Sequence, residues 1–337
     1  MHNDFSRALI EGIVRRSLRN MKDSPERSIR NLIDMALNFS EGQLQRSFFE
    51  SMQNTLRNEK GAYYGLIRDM AVTIDPDRLL SFGMNLGYNS CTMGAHTIRE
   101  IEGREGYNIP WSIALELDGT GYAQHTDAYH DLIKQGKALG VFTWLLISAG
   151  QPVEFLDLIE TNSDCAFLLF CKPEEITQSF LDEVQSIHNL MFVVRCEPEA
   201  VQACDHLRER EYLYSIYIPY RSEEASSIVN EDILSTAENL HPVFTFFIPG
   251  EPSCEEQQKA VYQQVLQVRA SQQYQTILID LIYDNRAIDG VISDDSCEVE
   301  FRKDGTLYAP DTTGHSALSL FEQPLENILR CAFPKTT

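Results

Sequence analysis

Two carboxylates alternate with leucines in the run Leu115-Glu116-Leu117-Asp118. Successive side chains of an extended strand point to opposite faces, so Glu116 and Asp118 share a face that the leucines do not. If Leu115 and Leu117 face covering helices, the two acids point into the mouth at the carboxyl end of the strand. There they could exchange protons with a substrate as an acid–base pair, or simply line a wet cavity or pair with a lysine or arginine. Gly119-Thr120-Gly121 follows at once and hints at a phosphate turn. No lysine or further glycine continues it into a phosphate loop, so a structural turn is the expectation. His125, Asp127 and His130 have the donor types of a metal site. His125 and His130 fall on different helical faces, while Asp127 and His130 share one; the rival reading is an acidic helix start. Cys171 beside Lys172 and Cys196 beside Arg195 raise the question of an activated thiolate. Nucleophilic use also needs a positioned base, and both cysteines sit at the ends of apolar runs, where burial is expected. No catalytic assignment follows; Glu116 and Asp118 are the surviving candidates.

The elements that must hold these residues fall into three stretches. Residues 1–106 read as helical. Ser24-Pro25-Glu26 offers a cap, a first-turn proline and an acid. Ile29, Leu32, Ile33, Ala36 and Leu37 then recur at helical spacing, and beyond Gly42 so do Leu44, Phe48, Phe49, Met52 and Leu56. A further helix carries Tyr63, Leu66, Ile67 and Met70 and ends before Asp75-Pro76. These helices need a partner for their apolar stripes. Residues 107–295 alternate apolar strands with polar helices. The strands are Trp111–Leu117, Val141–Ile147, Ala166–Phe170, Leu190–Val194, Leu213–Ile218, Val243–Ile248 and Thr276–Ile282; Asp127–Leu139, Glu174–Ile187 and Glu255–Ala270 are helices among the connections. Strands this apolar, joined by crossover-length helices, imply a parallel sheet covered on both faces, and seven such units predict a barrel or partial barrel. Tyr107, Trp111 and Trp144 are expected to pack the core. In residues 296–337, Cys297–Phe301 and Thr306–Tyr308 flank Lys303-Asp304-Gly305, a β-hairpin pattern, and a last helix covers Pro324–Cys331.

Composition narrows the function. Lys and Arg total 28 against 50 Asp and Glu, a formal net charge of −22. Such a surface repels phosphate backbones and anionic bilayers, so neither a nucleic acid nor a membrane is the expected partner. Arg15, Arg16 and Arg19 form the best basic patch and read as a solvated helix face. Arg7, Glu11, Arg15 and Arg16 interrupt the apolar residues near the start, so no signal peptide is expected and a cytoplasmic location follows. Eight cysteines include no CxxC pair, which reads as free thiols in a reducing compartment.

In α/β barrels ligands meet the carboxyl ends of the strands, and here those ends are Glu116-Leu117-Asp118, Ser148-Ala149-Gly150-Gln151-Pro152, Cys171-Lys172-Pro173 and Arg195-Cys196-Glu197-Pro198. Read with Asn108-Ile109-Pro110-Trp111, Ile133-Lys134-Gln135-Gly136-Lys137, Asp164–Phe170, Lys303–Tyr308 and Pro324–Leu329, the order of phrases resembles a group of bacterial radical S-adenosylmethionine (radical SAM) proteins. Asn85–Asn89 also has a counterpart there, and the resemblance covers most of residues 80–335. It implies a radical-SAM-like, partial TIM barrel with an N-terminal helical region and a small hairpin-plus-helix extension. In that family three cysteines spaced CxxxCxxC after the first strand hold a [4Fe–4S] cluster whose fourth iron takes S-adenosylmethionine. Here the corresponding residues, Asp118 to His125, include no cysteine. The family's Gly-Gly-Glu-Pro phrase after the second strand corresponds to Ala149-Gly150-Gln151-Pro152, without its acid. Cysteines for auxiliary clusters, expected near Val291 and Pro310, are missing too. The resemblance therefore implies a scaffold without cluster chemistry: a pseudoenzyme that binds a partner protein or a small molecule, with no [4Fe–4S] cluster. Ser148, Gly150, Gln151 and Pro152 are the residues that would contact S-adenosylmethionine if such binding persists. The rival reading is an enzyme with atypical ligands at the strand ends.

Overall fold

The computed structural model describes residues 2–21, 57–250, 254–293, 295, 297–308 and 318–335, with isolated residues between 27 and 54. Ser24-Pro25-Glu26, Ile29, Leu32, Ala36, Gly42, Leu44, Phe48, Phe49, Met52 and Leu56 lie outside the described residues; Ile33 and Leu37 are helical.

In chain order the helices are α1 (His2–Met21), α2 (Ala62–Thr73), α3 (Pro76–Met84), α4 (Ala95–Glu105), α5 (Gly119–Leu139), α6 (Leu156–Thr161), α7 (Gln178–Glu183), α8 (Ala200–Glu209), α9 (Glu231–Glu238), α10 (Glu255–Ser271), α11 (Leu281–Ile292) and α12 (Leu325–Ala332). The strands are β1 (Ser112–Asp118), β2 (Thr143–Gly150), β3 (Ala166–Cys171), β4 (Leu190–Arg195), β5 (Tyr214–Tyr220), β6 (Phe244–Pro249), β7 (Ile277–Asp280), β8 (Glu300–Phe301) and β9 (Leu307–Tyr308). They form two compact units, each assembled from two stretches of chain: residues 1–80 with 192–283, and residues 81–191 with 284–337.

In the first unit β4, β5, β6 and β7 pair in sequence order, all parallel. Helices α8, α9 and α10 alternate with them, as parallel connections require. Asn230 caps α9 by accepting from the Ile233 amide. Helix α2 is tied to α8 by a two-pronged pair, with Arg208 donating to both carboxylate oxygens of Asp69 at 2.6 and 2.8 Å. The Arg78 guanidinium lies 3.8 Å from the centre of the Tyr212 ring.

In the second unit β3, β2 and β1 pair in parallel. Strand β3 is buried along its whole length, whereas β1 alternates: Ile113, Leu115 and Leu117 are buried and Ala114, Glu116 and Asp118 are half-buried. The free edge of β1 is taken by β8, parallel, with Ala114 opposite Glu300 and Leu115 opposite Phe301. Strand β8 turns back through Lys303-Asp304-Gly305 into antiparallel β9. Gly305 has φ +78°, and a Cβ there would meet the Phe321 ring at 2.4 Å, so the turn needs glycine on two counts. A barrel or partial barrel was expected, and the sheet is not closed. A parallel barrel needs a final strand against β1, and that edge is filled by a two-residue strand ending in an antiparallel turn. The architecture is mixed α/β with open rows of mainly parallel strands rather than a closed barrel.

Two further differences have local causes. Helix α5 begins eight residues before the expected Asp127, because Asp118 caps it by accepting from the Gly121 amide; a kink with non-helical geometry at His125 marks the junction. The helix expected over Glu174–Ile187 is broken. Pro173 starts a short 3₁₀ turn in which Glu175 accepts from the Lys172 amide, and Thr177 caps α7 anew at Phe180. A π-helix over Asn85–Gly94 was not foreseen. Its buried Asn85 and Asn89 donate to the carbonyls of Ser163, Asp164 and Cys165, anchoring the approach to β3. At its end Gly94 abuts Gly140, the left-handed cap of α5; a Cβ on Gly94 would lie 2.2 Å from the Gly140 oxygen.

Candidate functional site

The carboxyl ends of β1, β2 and β3 lie within the second unit, and they are where the sequence placed its candidates. Glu116 is half-buried on the face shared with Asp118 and is met by the Lys303 amide of the hairpin turn at 3.4 Å. Asp118 is engaged as the helix cap, its Oδ1 2.8 Å from the Gly121 nitrogen. The strand therefore passes into α5 without a loop, and Gly119-Thr120-Gly121 is the first helical turn rather than a separate turn. The strand following Glu116 and Asp118 in space, β2, ends in Ser148-Ala149-Gly150. Ser148 Oγ donates to Glu175 Oε1 at 2.5 Å and accepts from the Gly150 amide at 3.2 Å. Gly150 and Gln151 both have positive φ, +136° and +57°. This folds the strap back so that Gln151 and Glu154 pack on Gly119, where a Cβ would meet their side chains at 2.8–3.0 Å. Pro152 is buried beneath and Gln151 is exposed.

The acids around this mouth act together on Tyr129. Burial first, then the charges of Asp118, Asp304 and Glu116, push its hydroxyl up to about 12. At neutral pH Tyr129 is thus a neutral phenol, edge-on to Phe321 with ring centres 5.7 Å apart.

The three metal candidates are separated. His125 stacks on the Phe321 ring, centroids 3.9 Å apart, and Asp127 is exposed on the other side of the kink. His130 instead joins residues that sequence reasoning missed. Its Nε2 is 3.1 Å from Asp157 Oδ2 and 3.2 Å from the Tyr122 hydroxyl, and Tyr122 donates to Asp157 Oδ1 at 2.8 Å. The Thr161 hydroxyl donates to the Asp157 carbonyl and lies 3.5 Å from His130 Nδ1. Burial and then the bond to Asp157 drive the Tyr122 hydroxyl well above its ordinary range, so it is a donor and not a nucleophile. The cluster ties both sides of the α5 kink to α6. Among the described residues, no three His, Cys, Asp or Glu side chains converge as metal ligands.

The thiols do not read as nucleophiles. Cys171 is buried at the end of β3. In the first unit, Cys196 is half-buried and is pushed up by burial and by Glu197, while Arg195 pairs with that same Glu197 at 3.5 Å. That direction is opposite to thiolate activation. Tyr107, Trp111 and Trp144 are buried, as packing residues should be. Glu175, the acid that reaches the mouth, could have been found by continuing the strand-end reading two residues past Pro173.

A [4Fe–4S] cluster of the family type needs cysteine thiolates after β1. The residues present do not fit it. Asp118 to His125 hold none, and their backbone forms the capped start of α5 with Gln151 and Glu154 packed against it.

No protein-family model matches the chain, and no curated protein matches it. Among solved structures, Streptococcus suis SuiB is similar at 9% identity and a TM-score of 0.49, covering 89% of this chain and 81% of that one. In the form bound to precursor peptide SuiA it gives the same identity and score over 68% of this chain, which spans 66%, less than two thirds, of that SuiB chain. Tryptophan synthase from M. tuberculosis superposes at a TM-score of 0.33 and 9% identity, over 60% of this chain and 97% of that one. Likeness this distant assigns neither family nor activity. Among the described residues no helix is long and apolar enough to cross a membrane.

Proposed function

We propose that the chain is a non-catalytic scaffold on a radical-SAM-like framework, working by binding a partner protein or a small molecule. The observation that carries this reading is the direct passage of β1 into α5. Asp118 spends its carboxylate on the helix start, and the strap at Gln151 and Glu154 covers Gly119. The backbone that would carry cluster ligands is committed to a helix turn. Glu116 and Asp118, the acid pair that might have replaced cluster chemistry, are engaged by backbone amides at the hairpin and the helix cap. A small-molecule role draws support from Glu175, which brings a carboxylate to the end of β2 through Ser148, beside the strap whose family counterpart carries an acid.

Anaerobic reconstitution with iron and sulfide, followed by metal analysis, a visible spectrum and a calorimetric titration with S-adenosylmethionine, tests the proposal. The expected protein is colourless and iron-free. Heat of binding that Glu175→Gln abolishes would select the small-molecule role, and no heat would select the protein-partner role. A stoichiometric cluster with a thiolate-to-iron band would overturn both.

A further inference from the structure

At the opposite, amino-terminal end of β1, two acids are nearly sealed from water. Glu102, near the end of α4, is 2% exposed and Asp289, on α11, is 1% exposed. Glu102 Oε1 accepts from the Ile109 amide at 2.7 Å and the Ser293 hydroxyl at 3.0 Å. Asp289 accepts from the Trp111 amide at 3.0 Å through one oxygen and from the Cys297 amide at 2.8 Å through the other. The linker 107–111 is thus hung on two carboxylates. Lys335 Nζ lies 3.1 Å from Glu102 Oε2 and pairs with it. Its segment lies along the same linker. Asn108 N donates to the Phe333 oxygen at 2.8 Å, Lys335 N donates to the Gly106 oxygen at 2.9 Å, and Tyr107 bridges Pro334 in antiparallel register.

The groups facing Asp289 come from every packed element. Helix α4 offers Glu102, and also Arg99, whose guanidinium donates to the Ile292 and Val291 carbonyls. The linker offers Asn108, 5% exposed, which donates to Asp295 at 3.3 Å while its Oδ1 has no hydrogen-bond partner among the described residues. The stretch after α11 offers Asp295 and buried Cys297. On the Tyr107 side stand Arg104, Glu105, Glu326 and Arg330.

We propose that residues 333–335 form a latch whose seating is linked to the charge of the buried Glu102–Asp289 pair. When both carboxylates are ionised, the Lys335 ammonium and its segment are held. When Asp289 carries a proton, the attraction drops and the latch loosens. Burial, with Glu102 and Asp295 adding to it, raises the Asp289 carboxyl to about 7, which puts the change of charge in the neutral range. Linkage is reciprocal: whatever factor by which seated Lys335 favours ionisation is the factor by which ionisation favours seating. A difference of about one pKa unit between seated and released forms corresponds to about a tenfold change in seating across the titration.

Hydrogen exchange of the full chain, corrected for intrinsic rates, tests the latch through the Asn108 and Lys335 amides, which donate across it, at about pH 5.5 and about pH 8.5, either side of the titration. The expected result is about tenfold greater protection at the higher pH in the wild type. Lys335→Met, at a half-exposed side chain, is expected to lower protection and remove its pH dependence. Asp289→Asn is expected to remove the pH dependence as well; should that variant not fold, Lys335→Met decides alone. Equal protection at both pH values in the wild type, or an unchanged pH dependence in Lys335→Met, overturns the proposal.

Discussion

The two ends of β1 use acids in opposite ways. At the carboxyl end Glu116 and Asp118 are half-buried, each meeting one backbone amide of a turn or helix start. At the amino end Glu102 and Asp289 are buried and between them take three backbone amides, a hydroxyl and an ammonium. In strand-and-helix folds of this kind, chemistry belongs to the carboxyl ends and stability to the amino ends. This unit concentrates its costly buried charge at the amino end.

Substitutions can break that contrast, and the largest effects should fall at the amino end. Gly94→Val forces a side chain against the Gly140 backbone, which cannot yield as a side-chain tip could. A loss of about 3 kcal/mol or more is expected in denaturant unfolding, and a loss under about 1 kcal/mol would mean the two glycines separate easily. Asp289→Ala leaves the Trp111 and Cys297 amides buried without an acceptor, for an expected cost of about 2–4 kcal/mol. The same residue sets a pH dependence. Its carboxyl rises from an ordinary 3.8 to about 7, so the folded chain keeps a proton that the unfolded chain releases. The stability it contributes is full below the ordinary value and is lost as pH rises through the folded one. Unfolding midpoints of the wild type should therefore fall over that window, and those of Asp289→Asn should fall less. This global trend runs against the local tightening expected of the 333–335 latch, so the two are separable.

The carboxyl end should respond more weakly. Asp118→Ala removes a helix cap and is expected to cost about 1 kcal/mol; a much larger loss would show that the acid does more than start α5. Glu116→Ala should stay within about 0.5 kcal/mol in the same assay.

Much of this was legible in sequence, for reasons that differ by element. Leu190–Val194 and Ala166–Phe170 mark strands within a residue of their bounds, because a parallel strand buried on both faces is a continuous apolar run. The hairpin was legible from Lys303-Asp304-Gly305, since the turn demands a residue tolerant of positive φ. Its place beside β1 was not, because pairing between residues so far apart leaves no local pattern. The start of α5 was missed because Asp118 was weighed as a catalytic acid and not as a cap. The Tyr122, His130 and Asp157 cluster escaped because α6 supplies the acid from a distant stretch. Asp289 looked like any acid on an amphipathic helix; its burial comes from what Trp111 and Cys297 bring to it.

The junction between β8 and β1 also has a consequence in time. Lys303 and Glu116 are 187 residues apart, so as the chain leaves the ribosome β1 is made long before the strand that covers its edge. Until Glu300 and Phe301 emerge, β1 presents a row of unpaired backbone groups beside Ile113, Leu115 and Leu117, a template for wrong pairing. The growing chain should thus depend most on chaperones between the synthesis of β1 and that of β8, and a chain stopped before residue 300 should aggregate more readily than one stopped after residue 308.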